Sequence, residues 1–240
     1  MKFILSPAKT FKKNEGIKTE SLIFPQKTEI LVNKFKKYTM NEMGNLNRTN
    51  DKLTEKAYYD YQEMDLKKLT NPAIFAYDGL VFKQFGPDDF SDLDYLNNHV
   101  YIISALWGAV KPLTAIGDYR LYFDNSDMDL YEFWDKDIYN EIFKGDDIIV
   151  SLASKEYTKT FRPYLKDSDK FYEIAFKDDK DGKLRSYTAW MKEMRGRMLA
   201  YLINHKIEDI EEIKKIELNG YKYDPYNSTP NVLTFVRSHQ

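Results

Sequence analysis

The stretch from Tyr101 to Phe123, YIISALWGAVKPLTAIGDYRLYF, constrains this chain more than any other. Its apolar, β-branched opening, Tyr101-Ile102-Ile103, turns abruptly into small residues, one Trp, a Gly and a Pro. That pattern predicts a buried strand running into a tight, rigid loop. The loop delivers Lys111 and Arg120, cations in an acidic part of the chain, on either side of Pro112 and Gly117. Backbone held on both sides of a charge points to a charge that is positioned.

The flanking segments alternate between strand and helix patterns. KFILS at the start reads as a first strand, stopped by Pro7, which has no amide hydrogen to pair. Residues 26 to 64 have helical spacing at Ile30, Leu31, Phe35 and Tyr38, then Met43 and Leu46, then Leu53, Ala57, Tyr58 and Tyr61. Asn50 is placed to cap the last of these helices, with Asp51 in its first turn. Ala73 to Tyr77, AIFAY, reads as a strand, Asp88 to Asn98 as a short acidic helix, and Tyr119 to Phe123 as extended. Leu130 to Phe143 reads as one helix, ended by Gly145. Ile148 to Leu152 is the most strand-like run and passes into a helix start with Ser154 as cap, a geometry that exposes amides to anions. Phe171 to Phe176 is a further strand. Residues 178 to 183 make a turn too short for an EF-hand calcium loop. Residues 187 to 205 form the clearest helix, with Trp190, Met194, Met198 and Leu202 on one face and Lys192, Arg195 and Gly196 on another. Gly220 to Tyr223 and Val232 to Val236 read as closing strands. The prediction is a single α/β (α+β) domain over residues 1–240, a mixed β-sheet surrounded by helices.

Composition removes several classes of chemistry. With no Cys there is no disulfide, thiolate nucleophile or Cys-ligated metal. The histidines, His99, His205 and His239, show no metal-ligand spacing, so neither a metal nor a cofactor is expected. No apolar run is long enough to span a membrane and the first residues lack a signal-peptide cleavage pattern, so the expected location is the cytoplasm. The formal net charge of -2 hides an uneven distribution. Residues 1–50 carry 10 basic and 4 acidic side chains, 51–150 carry 9 and 20, and 151–200 carry 12 and 8. If the first and third of these blocks meet in space, a basic surface forms on an acidic protein.

Ser6-Pro7-Ala8-Lys9 matches S-x-x-K, but it follows a strand, contains a Pro and has no K-T-G partner, so Lys9 reads better as an anion contact than as a catalytic base. Lys155 and Lys159 flank the predicted helix start after the Ile148 strand. Lys192 and Arg195 are i, i+3 neighbours, and Gly196 beside them costs about 1 kcal/mol of helix propensity. Such a cost calls for either ligand approach or close packing. Arg197 lies at the edge of the apolar face, where a buried ion pair competes with ligand binding. Arg120, between Tyr119 and Tyr122, has a fork suited to phosphate or carboxylate. The segment from Lys206 to Tyr221 is similar to the first helix and turn of a helix-hairpin-helix unit but lacks the G-x-G hairpin.

Motifs along the whole chain resemble the bacterial peroxide stress protein YaaA family. They are LSPAKT at Leu5 to Thr10, ISALWGAVKPLT followed by DYRLYF, LYEFW at Leu130 to Trp134, SLASKEYTK at Ser151 to Lys159, KEMRGRM at Lys192 to Met198, GYKYD at Gly220 to Asp224, and FVR at Phe235 to Arg237. Trp107 stands where the family usually has Tyr, Lys111 replaces its Arg, and Asp118 replaces the Pro before Tyr119, bringing a negative charge beside Arg120. The resemblance implies a cytoplasmic protein that limits free intracellular iron under peroxide and binds DNA through a positively charged cleft. It places Lys9, Lys111, Arg120, Lys155, Lys159, Lys192, Arg195 and Arg197 at that cleft. Binding would be salt-sensitive and weakly sequence-selective. Two rivals stand beside this reading: an enzyme or binding protein for a small phosphorylated or nucleotide-like ligand, and direct sequestration of iron.

Overall fold

Phe3, Ile4 and Leu5 are each 0% exposed, as expected of a central strand covered on both faces. They belong to β1 (Lys2–Leu5), the middle of the sheet. The computed structural model describes residues 1–14, 16–125 and 127–238. The other strands are β2 (Asn71–Pro72), β3 (Val100–Ser104), β4 (Gly108–Val110), β5 (Ala115–Ile116), β6 (Ile149–Ser151), β7 (Phe171–Lys180), β8 (Lys183–Arg185), β9 (Lys222–Tyr223) and β10 (Val232–Ser238). Eight of them form one mixed sheet in the order β4-β3-β1-β6-β7-β10-β9, with β8 added to β7, while β2 and β5 pair separately. The run β3-β1-β6-β7-β10 is parallel, and β4, β8 and β9 pair antiparallel at its margins. The predicted class, a mixed sheet surrounded by helices, is the one observed.

The helices are α1 (Pro25–Phe35), α2 (Met40–Asn47), α3 (Asp51–Gln62), α4 (Ala73–Ala76), α5 (Leu93–His99), α6 (Leu130–Trp134), α7 (Asp137–Ile142), α8 (Lys155–Thr158), α9 (Thr188–Asn204) and α10 (Ile210–Ile213). Asn50 caps α3 as expected, its Oδ1 accepting from the Leu53 amide at 3.0 Å. The turn at 178–183 is tighter than expected. Asp181 and Gly182 have φ of 56° and 73°, the two left-handed positions of a two-residue hairpin joining β7 to β8.

Some local expectations are corrected. AIFAY is the helical turn α4 rather than a strand. Its residues 73 to 77 are all buried, so no polar alternation separates the two conformations. Leu130 to Phe143 breaks into α6 and α7 at Asp135, whose φ is 41°, and Lys27 holds the Phe133 carbonyl at 2.6 Å across that break. The second piece ends at Ile142, before Gly145. Tyr119 to Tyr122 pairs with no strand. The helix after β6 is the single turn α8, and the Ser154 side chain does not cap it. Within the segment likened to a helix-hairpin-helix unit, α10 spans four residues.

The opening stretch folds as a strand and tight reversal. Ser104 Oγ, at the end of β3, accepts from the amides of Leu106 and Trp107 at 3.2 and 3.1 Å. Gly108 then adopts φ +72°, and a Cβ there would lie 2.7 Å from the Trp134 ring and 2.8 Å from Phe24. Only glycine serves both demands. Because β4 runs back antiparallel to β3, the chain leaves the carboxyl end of the parallel strands, reaches their amino end at Lys111, and returns to the carboxyl end at Tyr119.

Candidate anion-binding site at the carboxyl ends of the central strands

From β1 the chain crosses to β3 on one side, and from β6 to β7 on the other. The carboxyl ends of β1 and β6 therefore flank the point where the sheet changes direction, the usual place for a ligand in an open α/β sheet. The loops leaving these two strands are tied together, since the Ser154 amide donates to Ser6 Oγ at 2.8 Å. That bond makes Ser6 a structural tie.

Lys9 follows β1 and puts its ammonium 4.1 Å from the centre of the Tyr122 ring, with the Arg120 guanidinium 5.7 Å from the same centre. Lys192, exposed on α9, joins them. Partial burial holds Lys9 below the usual lysine range, the charges of Arg120 and Lys192 push it lower still, and Glu156 pulls the other way. Three cations from three distant parts of the sequence thus share one electrostatic neighbourhood. Arg120 Nε is buried without a hydrogen-bond partner. Among the described residues none of Lys9, Arg120 and Lys192 forms an ion pair. Unneutralised cations held close together repel, and an incoming anion relieves that repulsion.

Glu156 is the acidic member of the group. Burial and the nearby Asp124 raise its carboxyl above the usual range, opposed by the Phe123 amide, which donates to Oε1 at 3.2 Å, and by Lys9. Behind it runs a buried hydroxyl chain. Ser104 Oγ and Tyr119 OH lie 2.8 Å apart, and Tyr119 OH and Tyr77 OH 3.0 Å apart. Since Ser104 accepts from two amides, its own proton is free to go to Tyr119. Burial pushes the Tyr119 hydroxyl up to about 12.

The other expected positions divide. Lys155 opens α8 beside Glu156 and Lys159 directly follows the helix, both exposed, with Lys159 4.1 Å from the centre of the Tyr131 ring. Arg195, one turn beyond Lys192, is half-buried. That burial lowers its pKa and Glu173 opposes the shift. Lys111 lies near the amino end of β3, away from Lys9. Arg197 turns from the group to donate to Gln84 Oε1 at 2.9 Å and makes no ion pair among the described residues. Gly196 exists for packing, because a Cβ there would lie 2.1 Å from the Val81 carbonyl oxygen. Asp118 is bound by Lys56 at 2.9 Å, which offsets the repulsion expected beside Arg120. Sequence reasoning named Tyr122 only as a neighbour of Arg120 and missed Glu156, both inside quoted motifs, because nothing in their local pattern says that they stand near Lys9.

Among the described residues no group of three or more His, Asp or Glu side chains is arranged to hold a metal ion. His99 stacks on Tyr95 and His205 on Tyr201, while His239 lies outside the described residues. Among the described residues no helix is long and apolar enough to cross a membrane.

A sequence profile for "peroxide stress protein YaaA" matches residues 1–227. A UPF0246 protein of Ligilactobacillus salivarius is 35% identical over 247 aligned positions, which span 99% of this chain and 100% of the relative. UPF0246 proteins of Clostridioides difficile and Finegoldia magna are 34% and 37% identical, each over 99% of this chain and over 100% and 98% of their own lengths.

Proposed function

This chain belongs to the peroxide stress protein YaaA family, and from that premise we propose that it is a cytoplasmic protein of the peroxide response that binds DNA and helps keep free iron low. The observation carrying the DNA reading is the convergence of Lys9, Arg120 and Lys192 without carboxylate partners at the carboxyl ends of β1 and β6. Lys155 and Lys159 extend the basic character along α8 and just past its end. Phosphate oxygens supply the counter-charge that the protein itself leaves out, and backbone contacts of this kind carry little sequence information. The lowering of free iron rests on the family, and chelatable iron measured in peroxide-treated cells with and without the protein tests it.

DNA binding is tested by titrating a duplex at several salt concentrations. Affinity should fall steeply as salt rises, with a log–log slope of roughly −0.9 per phosphate contact. Salt-independent affinity, or none at low salt, sinks the reading. The position of the cations at the sheet's switch point favours a second reading, a small phosphorylated or nucleotide-like ligand in the same place. A ligand of that kind that raises thermal stability, where duplex does not, selects it.

A further inference from the structure

We propose that Lys9 is a nucleophilic amine that attacks the C1′ aldehyde of a ring-opened abasic deoxyribose in DNA, with Glu156 as the base for the elimination that follows. This rests on the DNA-binding reading and adds a reaction to it. Phosphate contacts alone require cations of any kind; the surroundings of Lys9 do more than that.

The amine is unpaired among the described carboxylates, partly desolvated, shares the Tyr122 ring with Arg120 and feels the charges of Arg120 and Lys192, so its neutral form is reached more easily than that of an ordinary surface lysine. The Tyr122 ring, 4.1 Å from Nζ, offers no hydrogen-bond acceptor on its face but stabilises a cation, and it serves an iminium as well as an ammonium. Arg120 and Lys192 are free to hold the phosphates on either side of a lesion. Glu156, within electrostatic reach of Lys9, carries no ion pair among the described residues, and its raised pKa suits a group that takes and returns a proton. On a DNA backbone held by these cations, the electrophile that suits an amine is the aldehyde left where a base has been lost.

The steps balance without an oxidant or reductant. The Lys9 nitrogen bonds to C1′, one amine proton passes to the carbonyl oxygen to make a hydroxyl, and that hydroxyl takes a proton from solvent and leaves as water, giving the iminium. Glu156 takes the C2′ proton, the C–H electrons form an enamine, and the C3′–O bond breaks with its electron pair departing on the 3′-phosphate. Water then hydrolyses the conjugated imine, returning the Lys9 amine and an unsaturated aldehyde on the cleaved strand.

The test is borohydride trapping on a duplex containing one abasic site, with each protein saturated with DNA, alongside titration of the intact duplex. The expected result is a covalent adduct that peptide mapping places on Lys9, absent with intact duplex, reduced to background in Lys9→Arg, and retained in Lys52→Gln on the exposed face of α3. Glu156→Gln should still trap but cleave roughly 100-fold more slowly, the scale of a lost general base. Free 2-deoxyribose 5-phosphate should not compete at equal concentration; if it suppresses the adduct, the site takes a sugar phosphate and the DNA assignment falls. Binding of intact duplex without trapping, or equal trapping by Lys9→Arg, overturns the lyase while leaving DNA binding standing. Loss of both binding and trapping overturns the two together.

Discussion

Where β7 pairs with β10, Arg237 donates to Asp178 Oδ1 through Nε at 2.8 Å and lies 2.6 Å from it through Nη2, while the Tyr221 hydroxyl donates to Oδ2 at 2.9 Å. The same guanidinium sits 4.8 Å from the ring centres of both Trp190 and Tyr221. At the carboxyl ends of β1 and β6, by contrast, Lys9 and Arg120 share the Tyr122 ring, and Lys9 is repelled by both Arg120 and Lys192. One region supplies its cation with an acceptor and π faces from within the protein. The other leaves the acceptor out. Charge that the fold itself satisfies holds structure together, whereas charge it leaves unsatisfied raises the free energy of the unliganded state and falls only when something binds.

The sharpest way to break the comparison is Asp178→Ala. Asp178 is 1% exposed, so its loss strands a guanidinium and a phenol, and unfolding by denaturant should show a loss of about 3–5 kcal/mol. A smaller loss would mean that the two regions differ less than their geometry says. Next comes the triple variant Lys9→Gln, Arg120→Gln and Lys192→Gln. Duplex affinity at low salt should fall roughly 100-fold, about 2.8 kcal/mol, with the salt slope shallower by about 2.7. Stability should hold or rise, the reverse of Asp178→Ala.

Lys9→Gln alone should raise Tm by about 1–3 °C near neutral pH, because it removes a charge that the fold disfavours. Since the folded-state pKa of Lys9 is lowered, its penalty is fully present below that pKa. It is relieved as pH rises through that pKa, so the Tm gain should shrink toward alkaline pH. A gain that is constant with pH would separate it from charge. The smallest effect belongs to Asp118→Asn. With Lys56 already on this carboxylate at 2.9 Å, duplex affinity should change by less than about twofold, and a larger increase would show that Asp118 still repels phosphate.

Much of the fold was legible because its signals are local. The Asn50 cap, the apolar run at Ile148 to Leu152, the helix at 187 to 205 and the Asp-Gly turn each need only neighbouring residues to specify them. AIFAY misled for a physical reason. A segment buried on every side has no polar residues to reveal its period, so a helical turn and a strand look alike. The break at Asp135 was hidden too, because Lys27, far away in sequence, holds the carbonyl beside it. In the site, Lys9, Arg120 and Lys192 were visible as charges, and the flanking Lys155 and Lys159 with them. Lys111 looked equivalent to Arg120 only because the hairpin that separates them is closed by Ser104 and Gly108, whose contacts are made in space.

From the order of its residues alone, this chain determined its family, its alternation of strands and helices, and the presence of two basic blocks around an acidic middle. Tertiary structure decided which cations meet, which are neutralised, and which ring and carboxylate stand beside them. Lys111 and Arg197 left the group, while Tyr122 and Glu156 joined it. The reason is that hydrogen-bonding period and turn chemistry act over a few neighbouring residues. The Coulomb interaction depends on distance in space, which only the path of the folded chain sets.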